Sequence, residues 1–274
     1  MSWTEGGGRG SVKYQGEQNL MNVENCFFGK ENCEPIEVSK GVHLYKFSAR
    51  IPKKVPASAE GKFGFIRYKV EVNLEIPFMP DLSAVEDFIV VTHEDLNNYP
   101  ELKLPSEVEE VRTFCCFMCE SEPLMIKLST PQTGYALGDE VRIKIEIFNR
   151  SKTKFDKSMV TLNRIETFYS YTPSEKSKKF RIPLTAVISK GVDPLQNVNF
   201  TEAIHIPLKA TVSNDRICNV FQVTYEVEFS MKQSKRSTAA TAAIPVCVGN
   251  IALRMNSSIS IFSESLPYEE LRRS

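Results

Sequence analysis

Histidine is scarce in this chain, three residues in 274, and that scarcity limits the chemistry it can do. A hydrolytic triad needs a nucleophile beside an oriented base. His43, His93 and His205 lie in no Gly-x-Ser-x-Gly or His-Glu-x-x-His pattern. The glycines of residues 6–10 are not followed by the Lys-Ser/Thr pair of a phosphate loop. No catalytic residue and no cofactor is expected, and the chain reads as a non-enzyme.

Charge of either sign is not in excess. Lys+Arg and Asp+Glu both number 34, so there is no general attraction to nucleic acid or to an anionic membrane, and any basic site must be local. Long apolar runs are also missing. The richest late stretch, residues 239–253, is broken by Thr241, Pro245, Gly249 and Asn250, and no basic start leads into an apolar run. Neither a membrane span nor a secretory signal is expected. Seven cysteines, an odd number, then point to reduced thiols in the cytosol rather than a disulfide framework. Asn-x-Ser/Thr triplets at Asn149, Asn199 and Asn256 have no glycosylation to report without secretion.

Strand periodicity is what the sequence has in abundance. Val141, Ile143, Ile145 and Ile147 alternate with Arg142, Lys144 and Glu146, and Phe221, Val223, Tyr225, Val227 and Phe229 alternate with polar residues. A period of two buries one face and wets the other. The same alternation runs from Ile66 to Ile76, where Pro77 and Pro80 stop it. Strand-like runs are also expected at residues 44–51, 88–91, 158–171, 180–189, 200–208 and 243–253, and Asp95-Leu96-Asn97-Asn98-Tyr99-Pro100 as a turn or short helix. No stretch of comparable length has helical periodicity. Two sandwiches of about 100 residues fit the length, so the fold class is all-β.

Several motifs resemble those of the α-arrestin (arrestin-domain-containing) family, in order and spacing. They are Cys115-Cys116-x-x-Cys119, Gly134-Tyr135-x-x-Gly138-Asp139, and the strand ending in Asn149-Arg150-Ser151. Residues 41–47 with Ile51-Pro52 and Gly64-Phe65-Ile66-Arg67-Tyr68 resemble an arrestin N-domain hairpin. Ile206-Pro207, Tyr225-Glu226-Val227 and Ile244-Pro245-Val246-Cys247 follow in the second half. The resemblance implies two tandem immunoglobulin-type sandwiches, the first incomplete because its opening strands have no counterpart before Trp3. Residues 1–105 are then a partial first sandwich, 106–120 a linker, 121–253 a second sandwich and 254–274 a polar tail. It further implies a cytoplasmic adaptor, peripheral to plasma membrane or endosomes. Such an adaptor links membrane proteins or receptors to trafficking or ubiquitination machinery, with no nucleic acid involved. The alternative is an arrestin-type regulator that binds phosphorylated receptors in signalling or sensory transduction. Arg67 stands where visual and β-arrestins carry an acid, so a carboxylate-centred polar lock is not expected, and the alternative would need a phosphate-sensing first strand, which this sequence lacks.

Three candidate sites come from the residues. Cys116-x-x-Cys119 has the spacing of half a tetrahedral zinc site, against buried structural thiols as the plain reading. Lys152, Lys154 and Lys157, with Arg164 nearby, and Lys176, Lys178 and Lys179 form two basic segments flanking one strand. Converging at adjacent ends of a meander, they would bind a phosphoinositide or other acidic lipid headgroup; solvated loops are the competing reading. In the tail, Tyr268-x-x-Leu271 has the spacing of a sorting-type peptide. The tail lacks Pro-Pro-x-Tyr, so a ubiquitin ligase would have to be reached through another region or partner.

Overall fold

The computed structural model describes residues 1–6, 10–29, 34–113, 122–233 and 236–254, with backbone alone at 236–239. The strongest alternation in the sequence builds its centre. In strand β10 (Glu140–Asn149), Val141, Ile143, Ile145 and Ile147 are all 0% exposed, each contributing about 1.5–3 kcal/mol by burial. β10 pairs antiparallel with β8 (Leu124–Thr130) and β13 (Asn197–His205), and β7 (Ser106–Arg112) adds to β8. This gives a four-stranded sheet in the order β13-β10-β8-β7.

Against it packs a five-stranded sheet in the order β12-β11-β14-β15-β9. It is formed by β11 (Phe155–Ser170), β12 (Lys176–Val192), β14 (Phe221–Gln233), β15 (Arg236–Gly249) and β9 (Gly134–Ala136). β9 runs parallel to β15 and the other pairs are antiparallel. Phe200 meets Phe229 across the gap, with centroids 6.2 Å apart. The Gly-Tyr-x-x-Gly-Asp motif turns the chain from β9 into β10. Gly138 holds φ +87°, closed to most side chains, and the Asp139 carboxylate accepts the Ala136 N–H at 2.7 Å.

Residues 106–112, expected in the linker, are a strand of this sandwich. Val108 and Val111 are opposed by Leu128 and Met125. Only two apolar residues in seven suffice because β7 is an edge strand, wet on its outer side.

Among the described residues, the first half builds three two-stranded ribbons rather than a closed sandwich. They are β1 (Ser2–Glu5) with β2 (Val12–Gln15), β3 (Ala59–Glu60) with β4 (Phe65–Ile66), and β5 (Tyr68–Leu74) with β6 (Leu82–Phe88). Residues 44–51 and 89–91, expected as strands, form none. Leu44 is 83% and Ile89 82% exposed; a strand needs a ladder of backbone partners for its N–H and C=O groups, whereas Val90 is met by the single residue Ser58, whose N–H donates to its carbonyl at 2.9 Å and whose hydroxyl accepts its N–H at 3.0 Å. Two 3-10 turns follow, Leu96–Asn98 capped by the Asp95 carboxylate and Pro100–Lys103 opening on proline.

Candidate functional site

The two halves meet at more than one place: residues 94–97 hydrogen-bond to residues 250–254 beyond β15, and the more apolar joint lies across β11, β12 and β14. At the end of β11 and β14 nearest the ribbons, Phe168 and Phe221 stack with centroids 4.7 Å apart. The turn between β3 and β4 closes over them. Phe63 meets the edge of Phe168 at 5.5 Å, and Lys62 lies 3.7 Å from the Phe180 ring centroid. Gly61 allows this approach, since a Cβ there would sit 2.5 Å from Phe221 Cζ. Glu166, fully buried, accepts the Lys62 N–H at 3.0 Å and pairs through its other oxygen with the Arg164 guanidinium. Tyr68 donates to the Pro56 carbonyl at 2.6 Å. Trp3, Val55, Ile66, Tyr68 and Val90 therefore share one continuous core with the second sandwich.

The basic residues are divided by this geometry. Phe168 of β11 is opposite Lys178, and Lys157 of the same strand is opposite Lys190. At about 3.3 Å per residue, the two candidate segments lie about 40 Å apart. They do not converge, because β11 is one long strand and they sit at its opposite ends. Lys176 and Lys178 turn toward the first half. Both pair with Glu5, lowering its carboxyl below the ordinary value chiefly through the Lys176 hydrogen bond. Lys176 also lies 4.8 Å from the Tyr14 ring and Lys178 4.7 Å from that of Phe63. Arg164 faces the same interior. Lys179 is exposed, and Lys154 pairs with Asp193 at 2.9 Å. Lys152 stands exposed on a loop held by Asn149, whose amide donates to the Thr153 and Asp193 carbonyls at 2.8 Å each. That buried asparagine explains the Asn149-Arg150-Ser151 motif.

Cys115, Cys116, Cys119, Tyr268 and Leu271 lie outside the described residues. Among those described, no three His, Cys, Asp or Glu side chains group to hold a metal. His43 is exposed against the Ser39 carbonyl at 2.8 Å, and His205 is exposed, 3.5 Å from Glu140. Among the described residues, no helix is long and apolar enough to cross a membrane.

Residues 120–253 match the family model of arrestin (or S-antigen), C-terminal domain, and residues 7–97 match that of the N-terminal domain. The chain belongs to the arrestin family. It is 28% identical to arrestin domain-containing protein 17 of Caenorhabditis elegans over 77% of its own length and 49% of that protein. It is 24% identical to arrestin domain-containing protein 1 of Homo sapiens over 78% of its own length and 47% of that protein. The chain spans about half the length of the curated relatives it matches. The C-terminal arrestin match covers the nine-strand sandwich from β8 onward, while β7, lying between the two matches, completes its four-stranded sheet.

Proposed function

We propose that this arrestin-family chain is a non-catalytic adaptor that links membrane cargo to trafficking or ubiquitination machinery in the cytoplasm. The observation that supports it is the presence of both arrestin domain matches in one chain whose two halves share a continuous core. That arrangement holds two protein-binding surfaces in fixed relation. Catalysis needs convergent reactive groups; an adaptor needs faces, edges and loops. Acidic lipid headgroups are a further partner in this reading, met by basic side chains of the second sandwich.

Proximity labelling with the full chain in cells tests it. Enrichment of integral membrane proteins together with ubiquitin ligases or coat components is expected. Labelling confined to soluble proteins would contradict the reading. Phosphorylated receptors as the sole class enriched would favour the signalling alternative.

A further inference from the structure

The first half leaves a cleft along β5. It has a volume of about 2680 Å³ and lies between β5 on one side and residues drawn from 16–29, 34–38 and 47–51 on the other. Small-molecule sites occupy roughly 300–1,000 Å³, so the space suits a stretch of polypeptide. Its walls are apolar and open: Phe27, Ile36, Phe47, Val72 and Leu74 are each 44–56% exposed. Among the described residues β5 pairs only with β6, and its other edge meets no strand. A two-stranded ribbon is marginal in water and gains from a third strand, and a bare edge presents a row of N–H and C=O groups to one.

Charge narrows the occupant. Eight carboxylates and three basic side chains line the cleft. All three bases are engaged: Arg67 with Glu60 at 2.7 Å, Lys69 with Glu71, and Lys62 at 3.7 Å from the Phe180 ring centroid. Glu17, Glu24, Glu34, Glu75 and Asp81 are exposed and have no ion pair among the described residues. Continuing the β5–β6 register one rung past Leu74 and Leu82 sets Glu75 against Asp81, and like charges so placed repel. A cation beside them relieves that cost. Along β5, Val70, Val72 and Leu74 share one face, while Glu71, Asn73 and Glu75 share the other. A strand laid on this edge therefore sets one of its faces beside apolar side chains and the other beside acids.

We propose that the cleft receives, as a third strand on β5, an extended segment of a partner protein in which Lys or Arg alternates with apolar residues. The seven residues of β5 span about 23 Å, the length of a partner strand of the same size. Backbone bonds to β5 supply affinity, and the alternating side chains supply selectivity. The partner class rests on the adaptor reading above: integral membrane proteins carry an excess of Lys and Arg in the cytoplasmic stretches beside their spans, so the cleft is a contact for cargo. A phosphorylated segment is disfavoured there, since its charge has the same sign as the rim.

Calorimetry on the full chain tests it with two end-blocked peptides, one of repeated Lys-Val and one of repeated Glu-Val. The parent should bind the lysine peptide, more weakly as salt rises, and the glutamate peptide at least about tenfold less tightly. E75K/D81K, both on the exposed ribbon, should reverse that preference. Val72→Ser should weaken binding of the lysine peptide without lowering the melting temperature. Bound peptide should slow exchange of the β5 amides and leave those of β14 unchanged. A parent that binds neither peptide or both equally, or an E75K/D81K variant that binds the lysine peptide as tightly as the parent, would overturn the proposal. Binding without added protection in β5 would rule out the third strand. A parent that sediments as a dimer, with E75K/D81K a monomer, would give the cleft to a second copy and overturn the partner. Proximity labelling with E75K/D81K separates this inference from the adaptor reading: membrane proteins should be lost from its labelled set. Labelling equal to the parent's would remove the cleft as the cargo contact and leave the adaptor standing. A parent that binds the lysine peptide yet labels no membrane protein would overturn the adaptor reading and the assignment to cargo, with the basic-segment site intact.

Discussion

Glu166→Gln attacks the joint between the two halves with the loss of one charge and almost no volume. In the parent, one carboxylate oxygen accepts the Lys62 N–H from 104 residues away and the other faces Arg164. A glutamine offers one acceptor for two donors and turns an NH2 toward the other. The Arg164 cation is then unpaired with its side chain only 20% exposed. Truncating one partner of a fully buried pair costs about 3–5 kcal/mol. Partial hydration of Arg164 brings the expectation down to about 2–3 kcal/mol, close to the worth of one charge-assisted hydrogen bond. Urea unfolding of the full chain measures it as a drop in midpoint at constant slope. Arg164→Met in the Gln background should recover part of the loss, since it removes the orphaned cation, and the cycle should show a coupling of about 1 kcal/mol or more. A loss below about 0.5 kcal/mol in Glu166→Gln, or no recovery in the double variant, would refute the joint.

Gly61→Ala should destabilise the chain by about 1–3 kcal/mol, because the new methyl meets Phe221 at 2.5 Å; thermal unfolding reads it, and an unchanged midpoint would mean the turn does not rest on that ring. Ile145→Ala should cost about 2–5 kcal/mol, since Ile145 is 0% exposed between two sheets, and a loss under about 1 kcal/mol in urea would contradict a close-packed sandwich. The Glu94 carboxyl is pushed above its ordinary value by burial. The folded state therefore holds that proton more tightly than the unfolded one, and stability from this group is full below the unfolded value and falls as pH rises through the raised one. Glu94→Gln should thus flatten the decline above pH 4.5, and an identical pH profile in parent and variant would exclude the effect.

The second sandwich was legible because its strands carry their own evidence: each alternation at residues 141–147 and 221–229 fixes which side is core. β7 was obscure for the opposite reason, since an edge strand with charges on its wet face becomes a strand only when β8 supplies the ladder. Residues 44–51 failed in reverse, with apolar side chains but no pairing partner. The joint left one trace in the sequence, where Arg164 and Glu166 share a face with Val160, Leu162 and Phe168. Their third partner, Lys62, lies too far along the chain for any local pattern to reveal. The basic segments were visible, yet their separation depends on the length of β11, which only the pairing with β12 reveals.

Hydrogen exchange on the full chain tests the shared core most directly. The first half should divide sharply, since Ile66 and Tyr68 are buried against the sandwich while Val72, Leu74 and Leu82 are 47–60% exposed. The amides of Lys62 and of the β3–β4 pair should be protected to an extent approaching that of β14, and those of the outer β5–β6 ribbon should exchange far faster. Exchange of the β3–β4 amides at the rate of an unstructured peptide, with β14 still protected, would contradict a core that includes both halves.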